Sequence, residues 1–424
     1  MALTRTVKQL GIKDPDAIRL GYGLVVETVR RRNLIDKFIN SQLQSKPFDE
    51  LTIGVQAFLR LYVYQTRVTK NWAKVDLGEA QRIAKLGRAI LGWENLLEVE
   101  PILGFLLTRN IKPLMDAAKD EERVALETFH PTWFVKYCFN LLGRSEATSF
   151  LEGNMVAPPA HIRLNTLRGS QEELLQKLAA DGITVEKVAP LKHTYKVVSS
   201  KNPLTRTDSF RLGRFFIQDK ASCFASEVAD PKPDATVFDV CAAPGAKTTY
   251  LAQLMENKGV ICAVDFSKRR MKTWRQEVGR MWINIADPVI ADARTPLPFN
   301  KQADVVILDP PCTSTGVFAK LPAAKWRLTP KSVEKMTELQ WQMINNCAQN
   351  VASGGTLTYS TCSITVEENE MIIERFLQAH PEFSLVEIEP KMGLPGLNGL
   401  DKCQRLYPHL HQCNGFFIAK LQKQ

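Results

Sequence analysis

The sequence lacks several features that would place the protein in a special class. No apolar run approaches the ~20 residues that cross a membrane. The opening residues, MALTRTVKQLGIKD, contain no apolar segment of the kind found in secretory signals. Its nine cysteines include no Cys-x-x-Cys pair, which argues against a disulfide framework and against a structural zinc site. These absences predict a protein of the reducing cytoplasm, with no membrane segment and no bound metal.

What the sequence does have is length, an ordinary apolar content and an excess of positive charge. A chain of 424 residues is too long for one ordinary core, so two or three domains are expected. Apolar residues make up 45% and charged residues 24%, as in globular proteins. The net charge is +10, which favours a nucleic-acid partner, and a basic surface that binds nothing stays an alternative.

The periodicity of the apolar residues divides the chain into three segments. Residues 1–125 are predicted to be all-helical, because apolar positions recur at helical spacing with little strand-like alternation. Within residues 126–215, the order from His161 is strand, helix, strand, strand, which predicts a small RRM- or ferredoxin-like α+β subdomain. Residues 216–424 alternate strands with helices, which predicts a mostly parallel, doubly wound, Rossmann-like α/β domain.

The stretch VFDVCAAPGAKTT has the form of a ligand site in such a sheet, where ligands bind beyond the carboxyl ends of the strands. A strand ends at Asp239, a turn of small residues follows, and a helix is predicted to begin near Ala246 or Lys247. Backbone N–H groups and the positive end of the helix then face the ligand. The fingerprint Gly-x-Gly-x-x-Gly does not follow this strand, which disfavours a dinucleotide.

Acids at the ends of the next two strands indicate a nucleoside cofactor instead. Asp265 ends the second strand, where it suits a ribose diol; the alternative is that it caps the following helix. Asp292 ends the third strand and could lie near an adenine ring. The thiol of Cys241 is expected to pack rather than to react. The predicted cofactor-binding residues are those of the turn and several charged residues, namely Cys241, Ala242, Ala243, Pro244, Gly245, Ala246, Lys247, Asp265, Arg270, Asp292 and Asp309.

Two further cysteines follow strands of the same predicted sheet. Cys312 completes the turn Asp309-Pro-Pro-Cys after the fourth strand, and its prolines stiffen that turn. Cys362 ends the next strand, in TLTYSTCS. Either thiol alone would more often be a buried core residue, but two at the rim of a nucleoside pocket, beside an acid, favour chemistry. Beyond them, Thr365 and Glu368 form a capping-box pattern that predicts the start of the helix NEMIIERFLQAH.

These motifs resemble a known family. DVCAAPGAKT, DPPC and YSTCS, with HPTW, RLNTLRG, QDKAS and GFFIAKL, resemble the Sun (NOP/Sun) family of RNA cytosine-5 methyltransferases over about residues 130–424. The helix order of the first segment resembles a NusB-like domain, and the whole layout resembles the RsmB-like, ribosomal-RNA branch. The resemblance implies S-adenosyl-L-methionine as cofactor and a Rossmann-like fold. The family usually has glycine at Ala246, and alanine is expected to be harmless because it already begins the helix.

The resemblance also implies a role for each candidate catalytic residue. Cys362 would add to carbon 6 of cytosine, because carbon 5 becomes a good nucleophile only after this addition. Cys312 would assist the release of the methylated product. Asp309 would hydrogen-bond the ring near nitrogen 3 and the amino group. Lys247 would contact the cytosine or a nearby phosphate and favour the thiolate.

Other functions stay open on the sequence. A DNA cytosine methyltransferase would carry its nucleophile at Cys312, and the second thiol at Cys362 favours RNA over DNA. A non-catalytic RNA-binding or ribosome-assembly factor would have no use for both thiols. Ribosomal RNA is the favoured substrate and transfer RNA the alternative, and a single-stranded or loop cytosine is expected. The protein is expected to be a cytoplasmic monomer.

Overall fold

A computed structural model describes residues 2–44 and 46–424. The chain forms two compact units. The first contains the described residues up to Met155 together with Leu321–Arg327, and the second contains Val156–Lys320 and Leu328–Gln424. No helix of the described ranges is both long enough and apolar enough to span a bilayer.

The first unit is built from helices, which confirms the predicted helical N-terminal region. Its core is a cluster of buried apolar side chains that recur at helical spacing and include Phe38, Leu59, Val63 and Leu103. Its helices are α1 (Ala2–Gln9), α2 (Pro15–Arg30), α3 (Arg32–Asn40), α4 (Ile53–Thr66), α5 (Leu77–Leu91), α6 (Trp93–Leu96), α7 (Glu100–Thr108), α8 (Lys112–Ala117), α9 (Asp120–Glu127), α10 (Thr132–Leu142) and α11 (Arg144–Gly153).

A short segment from much later in the chain belongs to this first unit. Within it, the indole Nε1 of Trp326 donates a hydrogen bond to the carbonyl of Val29 at 2.6 Å. Lys325 is buried, and burial lowers its pKa to about 7, with Arg30 and Arg31 acting in the same direction. Nothing in the sequence predicted that these residues leave the alternating strand–helix segment to pack with the helices.

The second unit begins with a four-stranded antiparallel sheet in the order β2-β3-β1-β4. Its strands are β1 (His161–Leu164), β2 (Ile183–Lys187), β3 (Thr194–Ser200) and β4 (Phe215–Ile217), with helices α12 (Gln171–Ala180) and α13 (Asp208–Arg211). Ile162, Leu174 and Phe215 are buried between this sheet and α12. The strand–helix–strand–strand order predicted from the sequence is confirmed, and β4 adds an edge strand beside β1.

The larger sheet of the second unit has nine strands. They are β5 (Thr236–Val240), β6 (Val260–Val264), β7 (Ala286–Val289), β8 (Ala303–Leu308), β9 (Val351–Thr361), β10 (Phe383–Leu385), β11 (Leu394–Pro395), β12 (Gln404–Leu406) and β13 (Phe416–Lys423). The helices of this region are α14 (Lys220–Ala229), α15 (Ala246–Leu254), α16 (Lys268–Arg280), α17 (Pro330–Ala348), α18 (Glu370–Ala379) and α19 (Pro408–His411).

The strand order of this sheet is β11-β12-β13-β9-β8-β5-β6-β7, and β10 pairs with β13. The strands from β5 to β9 pair in parallel, whereas β13 runs antiparallel to β9. The chain moves outward from β5 through β6 to β7, and then returns to the other side of β5 with β8. The order therefore reverses between β5 and β8, and the crevice beyond their carboxyl ends is the expected ligand site.

Helices cover both faces of the sheet, as the near-continuous apolar strands require. One face packs against α17 and α18 through buried side chains that include Phe238, Leu308, Ile344 and Ile373. The other face packs against α15 and α16 through buried side chains that include Val237, Ile307, Leu251 and Trp274. The predicted doubly wound, Rossmann-like sheet is confirmed.

Three local predictions concern helix starts. Ala246 is the first residue of α15, as expected, and the positive φ of 109° falls on Gly245 instead. The N-cap alternative for Asp265 is wrong, because Ser267 caps α16 and accepts a hydrogen bond from the backbone N–H of Arg270. The capping box is also wrong, because α18 begins at Glu370, and Glu368 accepts from the hydroxyl of Thr365 and not from its backbone N–H, which donates to Ser363.

Candidate active site

The two candidate catalytic thiols meet at the carboxyl ends of β8 and β9. Cys312 follows β8 after the two prolines, and Cys362 is the residue directly after β9. Since these strands are parallel neighbours, their ends lie side by side, and the two sulfur atoms are 3.2 Å apart. The Oγ of Ser314 lies 3.5 Å from the sulfur of Cys362.

The environment shifts the pKa values of the two thiols in opposite directions. The hydrogen bond with Cys312 lowers the pKa of Cys362; burial opposes this effect, and Ser314 and the charge of Lys247 support it. The same hydrogen bond raises the pKa of Cys312 well above its ordinary value, and burial raises it further. Of the two thiols, Cys362 is therefore the one whose environment favours the thiolate, which is the nucleophilic form of a cysteine.

An ion pair faces the thiols from the neighbouring elements. Lys247, at the start of α15, lies with its Nζ 2.5 Å from Oδ2 of Asp309, which follows β8. Lys247 is buried; burial alone would lower its pKa, but Asp309, with smaller effects of Asp239 and Cys362, outweighs burial and the pKa is raised. The other carboxylate oxygen of Asp309 accepts a long hydrogen bond of 3.5 Å from the Ser360 hydroxyl. Asp309 thus keeps a partly exposed carboxylate beside the two thiols.

The turn after β5 and the acid after β6 come together as one cradle. One oxygen of Asp265 accepts a hydrogen bond from the backbone N–H of Ala243 at 3.3 Å and lies 2.8 Å from Nη1 of Arg270. The other accepts from the N–H of Ser267 at 2.9 Å. The guanidinium of Arg270 also donates to the Ala243 carbonyl. The structure therefore brings the predicted residues Asp265 and Arg270 against the predicted turn.

The turn itself is built so that its backbone can approach a ligand closely. A Cβ added to Gly245, whose φ is 109°, would lie 3.2 Å from Cδ1 of Trp274, so a side chain there is disfavoured both by strain and by crowding. Cys241 also has a positive φ, of 69°. Burial raises the pKa of the Cys241 thiol, which packs against the core, in keeping with a packing role. The backbone cradle and the buried acid Asp265 fit a nucleoside cofactor.

Asp292 follows β7, the parallel neighbour of the strand that Asp265 follows. It stands in the loop after β7, where its carboxylate pairs with Arg294 at 2.6 Å. The hydrogen bonds from Arg294 lower the pKa of Asp292. Among the hydrogen bonds found in the described ranges, none joins Asp292 to Asp265 or to the turn.

Sequence reasoning missed a set of buried polar residues behind the thiols. Their centre is Glu368, which is fully buried and accepts hydrogen bonds from Thr313 and Ser363, the residues directly after the two cysteines. The available signal was the spacing of Thr365 and Glu368, which has an ordinary local interpretation as a capping box. The described residues contain no group of three or more His, Cys, Asp or Glu side chains that could hold a metal ion.

The fold and this site define a class of protein. A doubly wound sheet with a backbone cradle after its first strand and an acid after its second is the architecture of an S-adenosylmethionine-dependent methyltransferase. Residues 226–422 match the family model of the 16S rRNA methyltransferase RsmB/F, and residues 130–199 match the ferredoxin-like domain of RsmF/B-like methyltransferases. The second match confirms the predicted ferredoxin-like subdomain.

Comparison with known proteins identifies the family. The chain is 32% identical over 414 residues to a probable ribosomal RNA small subunit methyltransferase B of Bacillus subtilis, covering 96% of this chain and 89% of the relative. It is 37% identical over 246 residues to a tRNA (cytosine(72)-C(5))-methyltransferase of Pyrococcus horikoshii, covering 58% and 60% of the two chains. The chain belongs to the RsmB/F family of RNA cytosine-5 methyltransferases, and the predicted enzyme class is confirmed.

A solved structure supports the cofactor. The crystal structure of NSun6 from Pyrococcus horikoshii, which contains the S-adenosylmethionine analogue SFG, has a TM-score of 0.64 and 27% sequence identity to this chain. The similarity covers 69% of this chain and 98% of that one. The methyl donor is S-adenosyl-L-methionine, as the sequence predicted.

Proposed function

We propose that the protein methylates carbon 5 of a cytosine in RNA through a covalent adduct between Cys362 and carbon 6. The observation that carries this proposal is the pair of sulfur atoms 3.2 Å apart, with a lowered pKa at Cys362 and a raised one at Cys312. A thiolate adds to carbon 6, and the electron pair of the ring's 5,6 double bond becomes available at carbon 5. The assignment of the nucleophile to Cys362 rather than Cys312 disfavours a DNA-type arrangement.

The ion pair between Lys247 and Asp309 has a second role in the proposed reaction. As the thiolate adds, negative charge develops on the ring near nitrogen 3, and a positioned hydrogen-bonding group offsets it. Asp309 is the candidate when it carries a proton, which the Nζ of Lys247 can supply from 2.5 Å; the acid then donates that proton to nitrogen 3, and its other oxygen accepts from the amino group of the base. Lys247 also supplies positive charge that favours the thiolate of Cys362. Its burial and its pairing support this role better than a contact with an RNA phosphate.

Cys312 is proposed to assist the release of the product. Its pKa is raised first by the hydrogen bond with Cys362, and adduct formation removes that partner because the sulfur becomes a thioether. Cys312 can then lose its proton to solvent more easily, and the resulting thiolate accepts the proton of carbon 5. The electrons of that C–H bond rebuild the double bond, and the C–S bond breaks with its electron pair returning to Cys362.

The cradle after β5 is proposed to hold the cofactor, which supplies an electrophilic methyl group when bound. Asp265 would accept hydrogen bonds from the ribose diol, and the backbone from Cys241 to Gly245 would approach the rest of the molecule. Arg270 forms an ion pair with Asp265 in this structure. Because its side chain is 45% exposed, it can move away from Asp265 when a ribose binds there. The exposed ring of Phe266, next to the acid, is a further candidate contact for the adenine.

Changing Asp265 to asparagine should weaken the binding of S-adenosylmethionine about tenfold, because a charged acceptor for the ribose hydroxyls is lost while the side chain keeps its volume. Isothermal titration with the cofactor measures this effect. The matched control is Asp287→Asn, which changes an exposed acid on β7. An unchanged dissociation constant for Asp265→Asn would remove Asp265 from the proposed cofactor site.

Changing Lys247 to methionine should move the acid limb of the pH–rate profile to higher pH. The nucleophile must be a thiolate, so activity falls as the pH drops through the pKa of Cys362, which Lys247 helps to lower. The variant also leaves the negative charge of Asp309 without its partner, and that charge raises the same pKa. Methyl transfer measured between about pH 6 and pH 10 tests this shift around the ordinary thiol pKa. Lys272→Met, an exposed change on α16, is the control, and identical acid limbs in all three proteins would contradict the role.

The substrate proposed is ribosomal RNA, with transfer RNA as the second candidate. The match over nearly the whole chain to a relative named for the small ribosomal subunit supports the first, and the shorter match to a tRNA-modifying relative supports the second. Methylation at carbon 5 protects a cytosine from conversion by bisulfite. Bisulfite sequencing of total RNA from a strain lacking the gene should therefore show one cytosine that is newly converted. A lost signal in transfer RNA and none in ribosomal RNA would reverse the preference.

The remaining assignments are proposals about organisation. We assign residues 1–125 to a NusB-like helical domain that grips RNA, residues 126–215 to the RRM-like subdomain, and residues 216–424 to the catalytic domain. The net charge of +10 supports contacts with RNA phosphates. The protein is proposed to act as a cytoplasmic monomer without a metal.

A further inference from the structure

A buried carboxylate joins the two chain segments that carry the thiols. Glu368 is fully buried, and its Oε1 accepts hydrogen bonds from the backbone N–H of Thr313 at 2.8 Å and from Nε2 of Gln340 at 2.9 Å. Its Oε2 accepts from the hydroxyls of Ser363 at 2.6 Å and Thr365 at 2.7 Å, and from the Thr313 hydroxyl. Five donors therefore converge on one side chain.

Two of the residues that donate to Glu368 are the direct neighbours of the two cysteines in the sequence. Thr313 directly follows Cys312, and Ser363 directly follows Cys362. Glu368 accepts hydrogen bonds from both, so one side chain fixes the backbone beside each thiol. The hydroxyl of Thr315 adds a second link, since it lies 2.8 Å from the Ser363 hydroxyl and accepts from the N–H of Ile364 at 2.9 Å.

A cap or a fold contact alone does not explain this arrangement. Glu368 is not the N-cap of α18, and throughout residues 2–44 and 46–424 no lysine or arginine forms an ion pair with it. Burying an ionised carboxylate without a cation is costly unless hydrogen bonds compensate for the lost water. A carboxylate can accept from all five donors, whereas a glutamine of the same shape would turn an N–H2 group towards some of them, so the position calls for a side chain that only accepts.

Glu368 contributes to the raised pKa of Cys312, after the hydrogen bond with Cys362, burial and the charge of Cys362. The groups that face Cys312 electrostatically are Cys362, Glu368 and Asp309, and all three carry or can carry negative charge that raises the pKa of Cys312. Those that face Cys362 are Cys312, Asp309 and Lys247. Burial raises the pKa of Tyr359 well above its ordinary value, and the nearby negative charges raise it further, so the phenol stays neutral; it donates to the backbone carbonyl of Glu368 at 2.7 Å.

We propose that Glu368 is a positioning residue for this enzyme: it holds the two thiols at their short separation and confines thiolate formation to Cys362. The catalytic role of Glu368 in this proposal rests on the proposed covalent mechanism, in which Cys362 is the nucleophile. It explains why two nearly adjacent sulfur atoms do not compete for the same role. Cys312 stays protonated until Cys362 has been consumed by the cytosine.

The test compares the reactivity of each thiol in Glu368→Gln and in the unchanged protein. Iodoacetamide alkylation is followed from about pH 6 to pH 10, around the ordinary thiol pKa, and mass spectrometry assigns each modified cysteine. Glu368→Gln keeps the size of the side chain and removes the charge, so the thiolate fraction of Cys312 should rise about tenfold at a fixed pH if its pKa falls by about one. The reactivity of Cys362 should change much less. Glu338→Gln, an exposed change on α17, is the control.

A protein that is merely destabilised would lose melting temperature without a change in the pH profile of one thiol. An unchanged Cys312 profile in folded Glu368→Gln would overturn the proposal. Should that variant not fold, Thr313→Val and Ser363→Ala each remove one donor, and each should lower kcat about tenfold with KM unchanged. Unchanged kcat in both would overturn it equally.

The alkylation experiment needs neither RNA nor cofactor, so its result does not depend on the covalent mechanism. If Cys362 proves dispensable for methyl transfer, the mechanism fails while the alkylation profiles still report what Glu368 does to Cys312. If the alkylation profiles of Glu368→Gln and the unchanged protein do not differ, the proposed role of Glu368 is contradicted, while the adduct experiments still test the covalent mechanism. The two failures are therefore distinguishable.

Discussion

Replacing Cys362 with alanine should lower methyl transfer to RNA by about a thousandfold or more, since the loss of a nucleophile that forms a covalent intermediate removes the main route of reaction. The thiol is held as the better nucleophile of the pair by its hydrogen bond with Cys312. Alanine leaves the cradle for the cofactor untouched, so binding of S-adenosylmethionine should not change. Radiolabelled methyl transfer and cofactor titration measure the two quantities.

The adduct itself can be captured in the same experiment. RNA that carries 5-fluorocytosine cannot lose its substituent from carbon 5, so the unchanged enzyme should stay attached to it on a denaturing gel, and Cys362→Ala should not. Cys262→Ala is the control, because Cys262 lies on β6 with a pKa raised by burial and is expected to behave as the unchanged enzyme does. Full activity in Cys362→Ala would show that the mechanism is wrong.

Periodicity in the sequence was enough for the architecture and for much of the site. The alternation of strands and helices implied a parallel sheet, and parallel strands put their carboxyl ends at one edge. Asp309, Cys312 and Cys362 each follow a strand, so their proximity could be predicted without any knowledge of side-chain contacts. The alanine at position 246, where the family usually has glycine, was also interpreted correctly, because the helix begins there.

Contacts between segments distant in sequence could not be predicted in this way. The pattern at Thr365 and Glu368 is compatible with a local capping box, but hydrogen-bond donors from the turn after β8 bind the carboxylate instead. Arg270 reaches Asp265 only because α16 packs beside β6. The inclusion of Leu321–Arg327 in the helical unit depends likewise on contacts, such as that of Trp326, with residues near the start of the chain.

Replacing Cys312 with alanine should give a different result: the enzyme should form the covalent adduct with RNA but fail to release the methylated product. Loss of the hydrogen bond from Cys312 raises the pKa of Cys362 and slows its attack on carbon 6, but that attack uses no atom of Cys312. After methylation, however, the proton on carbon 5 must be removed before the C–S bond can break. The variant should therefore accumulate as a covalent complex with ordinary RNA in the presence of S-adenosylmethionine, at about one RNA per enzyme.

This complex should depend on the other thiol. The double variant Cys312→Ala/Cys362→Ala should form none, whereas Cys312→Ala/Cys262→Ala should form as much as Cys312→Ala alone. Denaturing gels give the amount of complex, and digestion followed by mass spectrometry gives the cysteine that carries the nucleotide. Turnover by Cys312→Ala at the rate of the unchanged enzyme, without accumulation, would assign the release step to another group. An adduct on any cysteine other than Cys362 would contradict the proposed roles, in which Cys362 is the nucleophile and Cys312 assists release. The 3.2 Å distance between the two sulfur atoms and their opposite pKa shifts support these roles.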